Sequence, residues 1–128
     1  MKLRREDGGM RQRIKEHLVD GSDREICCFS ITCEECGSVW KSTAKRFSRR
    51  QEDHHSESSR IIAQALYQRE RTQNMDHALW EAAHHFNSCP LCGRLVCNYC
   101  FVICDDLDMC RNCASRLHET GESVLERV

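Results

Sequence analysis

Cysteine is the residue type in this chain whose spacing points to chemistry. Eight of the eleven cysteines form four Cys-x-x-Cys pairs: Cys33/Cys36, Cys89/Cys92, Cys97/Cys100 and Cys110/Cys113. Two residues between thiolates let both sulfurs of a pair bind one zinc ion, with Zn–S bonds of about 2.3 Å, and two pairs complete a tetrahedral four-cysteine site. The four pairs therefore predict two Zn²⁺ ions as cofactors, with no ligand left over.

Disulfide bonds are the alternative use of so many cysteines in a small protein. The cysteine count is odd, which would leave a thiol unpaired, and the N-terminal sequence MKLRREDGGMRQR lacks the apolar run of a signal peptide. No stretch approaches the ~18 apolar residues of a membrane span. We therefore expect zinc in a reducing, cytoplasmic setting, without membrane association.

The composition allows only a small apolar core. The 128 residues include two Trp, two Tyr and four Phe, and 30% of them are charged. Small cores often need a metal or disulfide to hold them. We therefore expect the metal-free C-terminal part to be unfolded or molten. The net charge of −1 excludes a polycation that binds nucleic acid through total charge alone.

The chain divides into three parts around the cysteine pairs. Residues 1–25 are an N-terminal extension, with a possible short helix over residues 10–19 after the helix-breaking Gly8-Gly9. We favour a frayed tail here over a helix that is docked or binds a partner. Residues 26–120 form the two-zinc module, and residues 121–128 form a C-terminal tail. The predicted fold class is a small zinc-stabilised α+β domain.

Two elements of the module repeat a Cys-x-x-Cys-Gly pattern. Residues 26–43 predict a β-hairpin whose turn holds Cys33, Cys36 and Gly37, and Cys89-Pro-Leu-Cys92-Gly93 repeats the turn. Glycine after the second cysteine suits a tight turn with positive φ, in which backbone N–H groups point toward sulfur. We call each of these turns a knuckle.

A long helical insertion is predicted between the first and second cysteine pairs, over residues 56–86. Its polar middle, residues 68–74, is expected either to be exposed to solvent or to be a break between two helices. The expected apolar stripe consists of Ile62, Leu66, Met75, Leu79, Ala82, Ala83 and Phe86, with Tyr67 and Trp80 beside it. We expect Trp80 and Phe86 to pack against the zinc module.

The last cysteine pair is expected at the start of a C-terminal helix within residues 109–126, where the helix N-terminus favours thiolates. The four pairs can combine in three ways. The short 93–96 segment between the second and third pairs suits a hairpin that leads away from one metal. Combining the knuckle of the second pair with the helix start of the fourth pair leaves the first pair to join the third. This favours a cross-brace, with Cys33, Cys36, Cys97 and Cys100 in site 1 and Cys89, Cys92, Cys110 and Cys113 in site 2. The alternative is sequential: the first pair with the second, and the third with the fourth.

The run from His84-His85 through Cys89, Cys97-Asn-Tyr-Cys100 and Cys110-Arg-Asn-Cys113 resembles the second half of FYVE-type and related treble-clef zinc fingers. The resemblance implies a two-zinc cross-brace treble-clef module. It does not extend to the basic block with which FYVE domains bind phosphoinositides, because Ala82-Ala83 precede the histidines here. A RING-type cross-brace is a poorer match.

The remaining cysteines and the histidine doublets have simpler expected roles. Cys104 is expected to pack as a small apolar side chain, and Cys27 and Cys28 are expected in the core. The doublets His54-His55 and His84-His85 lack a third partner at metal spacing. We expect them on the surface or in helix packing.

These features predict a protein that is not an enzyme. Closed four-cysteine sites leave no coordination position for water or substrate, and no small-molecule substrate is expected. The predicted function is a protein-interaction or assembly module, an adaptor or scaffold, whose helical insertion contacts another protein or a second copy. The alternative is a nucleic-acid-binding zinc-ribbon protein that uses the basic segment 41–50, with Trp40 and Phe47 stacking on bases.

Overall fold

The computed structural model describes residues 3–48 and 56–124, with the side chains of the N-terminal helix from residue 9 onward. It is a small α+β fold. The helices are α1 (Leu3–His17), α2 (Glu57–Ala82) and α3 (Arg111–Arg116). The strands are β1 (Val19–Asp20), β2 (Ile26–Cys27), β3 (Phe29–Thr32), β4 (Val39–Lys41), β5 (Lys45–Arg46), β6 (Phe86–Ser88), β7 (Leu95–Cys97), β8 (Phe101–Ile103), β9 (Met109–Cys110) and β10 (Glu122–Ser123).

Short antiparallel sheets position the cysteine pairs. Within the described ranges the strands form sheets of order β1-β3-β4, β2-β5, β6-β7 and β10-β8-β9. The predicted hairpin is β3-β4, in which Ile31 pairs with Trp40, and the second hairpin is β6-β7, in which Asn87 pairs with Val96. Each of these two hairpins has a cysteine knuckle as its turn.

The N-terminal helix is docked, and the frayed tail favoured from the sequence is wrong. Helix α1 runs through Gly8 and Gly9 and ends at His17, before the predicted end at residue 19. The side chain of Ile14 is fully buried (0% exposed) in the core that surrounds the cysteines. Burial of a large aliphatic side chain contributes about 1.5–3 kcal/mol, which is comparable to the cost of two helical glycines. Packing of α1 against the core therefore outweighs the tendency of Gly8 and Gly9 to break the helix.

Helix α2 is one continuous helix of 26 residues, so of the two alternatives for residues 68–74 the solvent-exposed middle is correct and the break is not. Ser56 caps its start by accepting a hydrogen bond from the Ser59 N–H at 3.1 Å. Its polar middle is anchored to the rest of the fold, because Arg71 donates to the Asp20 carboxylate (Nε–Oδ2, 2.9 Å) and Glu70 accepts from Ser48. None of the described helices has the length and apolar character needed to cross a membrane.

The buried face of α2 differs from the predicted stripe. The buried residues of α2 are Ala63, Ala78, Leu79 and Ala82. Ile62 is 52% exposed and Trp80 is 60% exposed, so the prediction that Trp80 packs against the module is wrong. Phe86 is buried as predicted, but it lies in β6 beyond the helix end. The helix packs through alanines and Leu79, with Met75 and Tyr67 partly buried beside them, and it leaves Ile62 and Trp80 outside.

The C-terminal helix is shorter than predicted. Helix α3 begins beside the last cysteine pair, as expected, but it ends at Arg116. His118 adopts a positive φ of 56°, and the chain turns back so that β10 pairs with β8. Gly121 makes this return possible, since a Cβ atom there would lie 2.2 Å from the carbonyl oxygen of Ile103.

Candidate metal centres

The eight paired cysteines gather into two groups of four sulfurs. Site 1 contains Cys33, Cys36, Cys97 and Cys100, and site 2 contains Cys89, Cys92, Cys110 and Cys113. The Sγ atoms within each group all lie within 4.8 Å of one another, so each group can hold a metal ion. The grouping is the interleaved one rather than the sequential alternative.

The distances between sulfurs fit a tetrahedral ion. The Sγ–Sγ distances are 3.8 Å for Cys36–Cys97 and 3.7 Å for Cys97–Cys100 in site 1. In site 2 they are 3.8 Å for both Cys89–Cys113 and Cys92–Cys110. A tetrahedron with Zn–S bonds of about 2.3 Å has edges of about 3.8 Å. All eleven cysteines are free thiols, which agrees with metal binding and not with disulfides.

The two knuckles have the same backbone hydrogen bonds. In the first, the Cys33 N–H donates to the Ser38 carbonyl at 2.8 Å, and the Gly37 N–H donates to the Cys33 carbonyl at 3.0 Å. The corresponding bonds of the knuckle at Cys89 are 2.9 and 2.8 Å. Gly37 and Gly93 have φ values of 79° and 78°, where a side chain would be strained, so the predicted requirement for glycine is confirmed.

Backbone N–H groups of the cysteines themselves point at the sulfurs of their own site. The Cys97 N–H donates to Cys33 Sγ at 3.2 Å, and the Cys110 N–H donates to Cys89 Sγ at 3.3 Å. Cys110 is also the N-cap of α3 and accepts from the Cys113 N–H at 3.4 Å. Such bonds stabilise thiolates and fix the direction in which they point, as hydrogen bonds to the ligands of bound metals do.

The exposed thiol of each site is the easier one to ionise. Burial opposes ionisation of Cys36, but hydrogen bonds from the Ser38 side chain and backbone outweigh it and lower the pKa of the thiol to about 6. Burial likewise opposes ionisation of Cys92, and hydrogen bonds from the backbone and guanidinium of Arg94 lower its pKa to about 6. A thiolate is the form that binds metal.

The buried thiols of Cys100 and Cys113 resist ionisation until a cation is near. Burial, followed by the neighbouring Cys36 and Cys33, raises the pKa of Cys100 above its usual range. Burial and the adjacent Cys110 raise the pKa of Cys113 to about 12. Four thiolates packed this closely repel one another, and a bound cation removes that repulsion. The donor set therefore fits a thiophilic metal ion in each site.

Arg94 connects the two sites. Its Nη2 atom lies 3.5 Å from Cys110 Sγ and 2.9 Å from Glu35 Oε1, while Nη1 donates to the Glu34 carbonyl at 3.1 Å. The Glu34 carboxylate in turn accepts from the Leu95 N–H at 2.6 Å. The tip of the first knuckle is thus bound to the second hairpin. Sequence analysis missed Arg94; its place directly after Gly93 is the signal that could have indicated it.

Replacing Arg94 by methionine should make site 2 release its metal at higher pH. Loss of the guanidinium raises the pKa of the Cys92 thiol, so protons displace the metal earlier as the pH falls, by roughly half a pH unit. A metal-responsive dye that follows release from pH 8 downward measures the shift. Arg94→Lys should restore part of it, and Arg116→Met, at an exposed arginine of α3, should not change release. An unchanged release curve for Arg94→Met contradicts this assignment.

The remaining cysteines lie outside both groups. Cys27 and Cys104 are buried, in agreement with the prediction, and Cys28 is half-buried. The ring of His84 lies 2.9 Å from the Trp80 carbonyl, and the ring of His85 lies 5.6 Å from that of Trp40. The other histidine doublet, 54–55, is outside the described residues.

The basic segment does not present both of its aromatic side chains to solvent. Phe47 is only 7% exposed and packs on the ring of Tyr67, with centroids 4.6 Å apart, so it does not present the face for stacking on bases that the nucleic-acid alternative requires. Trp40 is half-buried against Phe86. Arg46 lies 3.3 Å from the Glu25 carboxylate. Residues 49 and 50 are outside the described ranges.

Comparisons with known proteins do not identify a family. No protein-family model, no curated protein and no solved structure matches the chain. The two groups of four cysteines and the small α+β fold are consistent with a zinc-finger-like module.

Proposed function

We propose that the chain is a non-catalytic zinc-binding module for protein interaction or assembly, an adaptor or scaffold with two structural four-cysteine sites. The observation that carries the proposal is the tetrahedral spacing of four sulfurs in each site, 3.7–3.8 Å for the closest pairs. Four thiolates saturate a zinc ion, whereas catalytic zinc keeps one position open. The function of such sites is to hold the surrounding fold.

Within this proposal, the small α+β fold is interpreted more specifically as a cross-brace treble clef. In site 2 a knuckle at Cys89 combines with a pair at the first turn of α3, the arrangement of treble-clef fingers that the sequence resembles. Site 1 joins the first knuckle to Cys97 and Cys100, between β7 and β8. Eleven free thiols agree with a reducing compartment such as the cytoplasm.

The interaction role is supported by the outer face of α2. Ile61, Ile62 and Trp80 expose 62%, 52% and 60% of their surface on this helix. Exposed large apolar side chains on one rigid element often mark a protein-binding surface. The zinc sites hold the platform, and α2 presents the surface.

Titration of the metal-loaded chain with labelled single- and double-stranded oligonucleotides tests this function against the alternative. The interaction module is expected to show no nucleic-acid affinity at low salt, because Phe47 is buried and Arg46 is paired with Glu25. Fluorescence anisotropy is the measurement. Binding that falls steeply as salt rises would favour the nucleic-acid alternative, and binding to an unrelated acidic polymer serves as the control for non-specific charge.

A further inference from the structure

We propose that the partner of α2 is a second copy of this chain, bound antiparallel along one exposed stripe of the helix. This inference rests on the proposed interaction function and names its partner. The stripe, hereafter the α2 stripe, consists of Ile62, Ala65, Arg69, Gln73, Asp76, Trp80 and Ala83, all of them exposed. Spacings of three and four residues place them on one side of the helix.

The opposite side of α2 already has a partner within the fold. Ala63, Ala78 and Ala82 are buried there against the rest of the module. The stripe from Ile62 to Ala83 spans about 32 Å at 1.5 Å per residue, which is long enough for an extended helix pair. A second helix can therefore lie along the stripe without displacing the core.

The order of residues in the stripe is self-complementary when reversed. A two-fold axis between Thr72 and Gln73 places Arg69 opposite Asp76 of the second copy. The same axis places Trp80 opposite Ala65 and Ile62 opposite Ala83. Every contact occurs twice, as in isologous dimers, and each large side chain meets an alanine. In a parallel pair each residue would face its own copy, so Arg69 would face Arg69 and Trp80 would face Trp80.

The charges at the centre of the stripe are available for this contact. Arg69 is exposed and has no ion pair among residues 3–48 and 56–124. Asp76 binds Arg11 of α1 through Oδ1, at 2.8 Å. Its Oδ2 atom is the oxygen that we assign to Arg69 of the second copy. A carboxylate accepts from two guanidinium groups through its separate oxygens.

Trp80 is held in place before any partner binds. Its ring stacks on His77 with centroids 5.8 Å apart and contacts His84 edge-on at 4.6 Å. These contacts reduce the side-chain entropy that binding must remove. Tryptophan is the residue type most often responsible for binding energy at protein interfaces. We therefore expect the two Trp80 side chains to supply most of the affinity.

Charge reversal tests the register. Arg69→Asp alone or Asp76→Arg alone places like charges together twice in the homodimer, which should raise its dissociation constant about tenfold. An equimolar mixture of the two variants restores opposite-charge contacts and should dimerise more tightly than either variant alone. Trp80→Ala should raise the dissociation constant about 100-fold. Sedimentation velocity over a concentration series measures each value.

The matched control is Arg60→Asp, the same change at an exposed arginine of α2 outside the stripe, which should leave association unchanged. A monomeric unmodified chain overturns the inference, as does a dimer that the stripe variants do not weaken or that Arg60→Asp weakens equally. Failure of the mixture to associate excludes the antiparallel register. Native mass spectrometry distinguishes failure of this inference from failure of the proposed zinc module. A monomer that carries two zinc ions contradicts only the dimer, whereas a metal-free chain contradicts the zinc module itself.

Discussion

Stripping both metals with a strong chelator is expected to unfold the module. The two sites account for much of the main core, since Cys33, Cys89, Cys110 and Cys113 are almost completely buried within it. Structural zinc contributes about 10–16 kcal/mol to folding near neutral pH, which is as large as the total stability of a typical domain. Two-dimensional amide NMR should show collapse of the dispersed β-sheet signals, and re-addition of zinc should restore them.

The control for this experiment is the same chelator saturated with zinc, which should leave the spectrum unchanged. Partial helical signal can survive in the stripped chain, because α2 is 26 residues long and has a capped start. A stripped chain that keeps its dispersed sheet signals would show that the sulfurs do not hold the fold.

Two double substitutions should leave different amounts of metal bound to the chain, because the result depends on which cysteines share an ion. Cys36→Ser with Cys100→Ser removes two ligands from site 1 only, so one metal ion should remain bound with its original affinity. Cys36→Ser with Cys92→Ser removes one ligand from each site, and both sites should lose affinity. Cys36 and Cys92 are the exposed ligands of their sites, so their replacement disturbs core packing least.

Inductively coupled plasma mass spectrometry of the two purified variants gives the metal-to-protein ratio. We expect a ratio near one for the first variant and a clearly lower ratio for the second after dialysis against a weak chelator. The reverse order would be the result of the sequential pairing. Cys104→Ser, at a buried cysteine outside both groups, is the control and should retain both ions.

The spacing of the cysteines along the chain predicted those parts of the site whose geometry depends only on residues that are neighbours in sequence. Cys-x-x-Cys-Gly dictates a knuckle because only two residues separate the sulfurs and the following residue must adopt positive φ, as Gly37 and Gly93 do. The start of α3 directly after Cys110 was also predicted, because a helix N-terminus favours thiolates. The short link between Cys92 and Cys97 argued against joining these two neighbouring pairs, and the expected combination of a knuckle with the first turn of a later helix favoured the interleaved grouping that the sulfurs adopt.

Long-range packing determined what the sequence did not predict. Burial of Ile14 keeps α1 helical through two glycines, although local propensity favours a break. Helix α2 approaches the sheets through alanines, so its largest residue, Trp80, points outward although its hydropathy favours burial. The bridge from Arg94 to Glu35 joins residues 59 positions apart, so the residues around Arg94 do not indicate its partner.

X-ray absorption at the zinc edge of the purified chain tests the central claim most directly. The geometry of both sites predicts four sulfur neighbours for each zinc ion at about 2.3 Å and no nitrogen or oxygen neighbour. A spectrum that needs nitrogen or oxygen ligands, or fewer than four sulfurs per ion, would contradict two closed four-cysteine sites and the structural role that we assign to them.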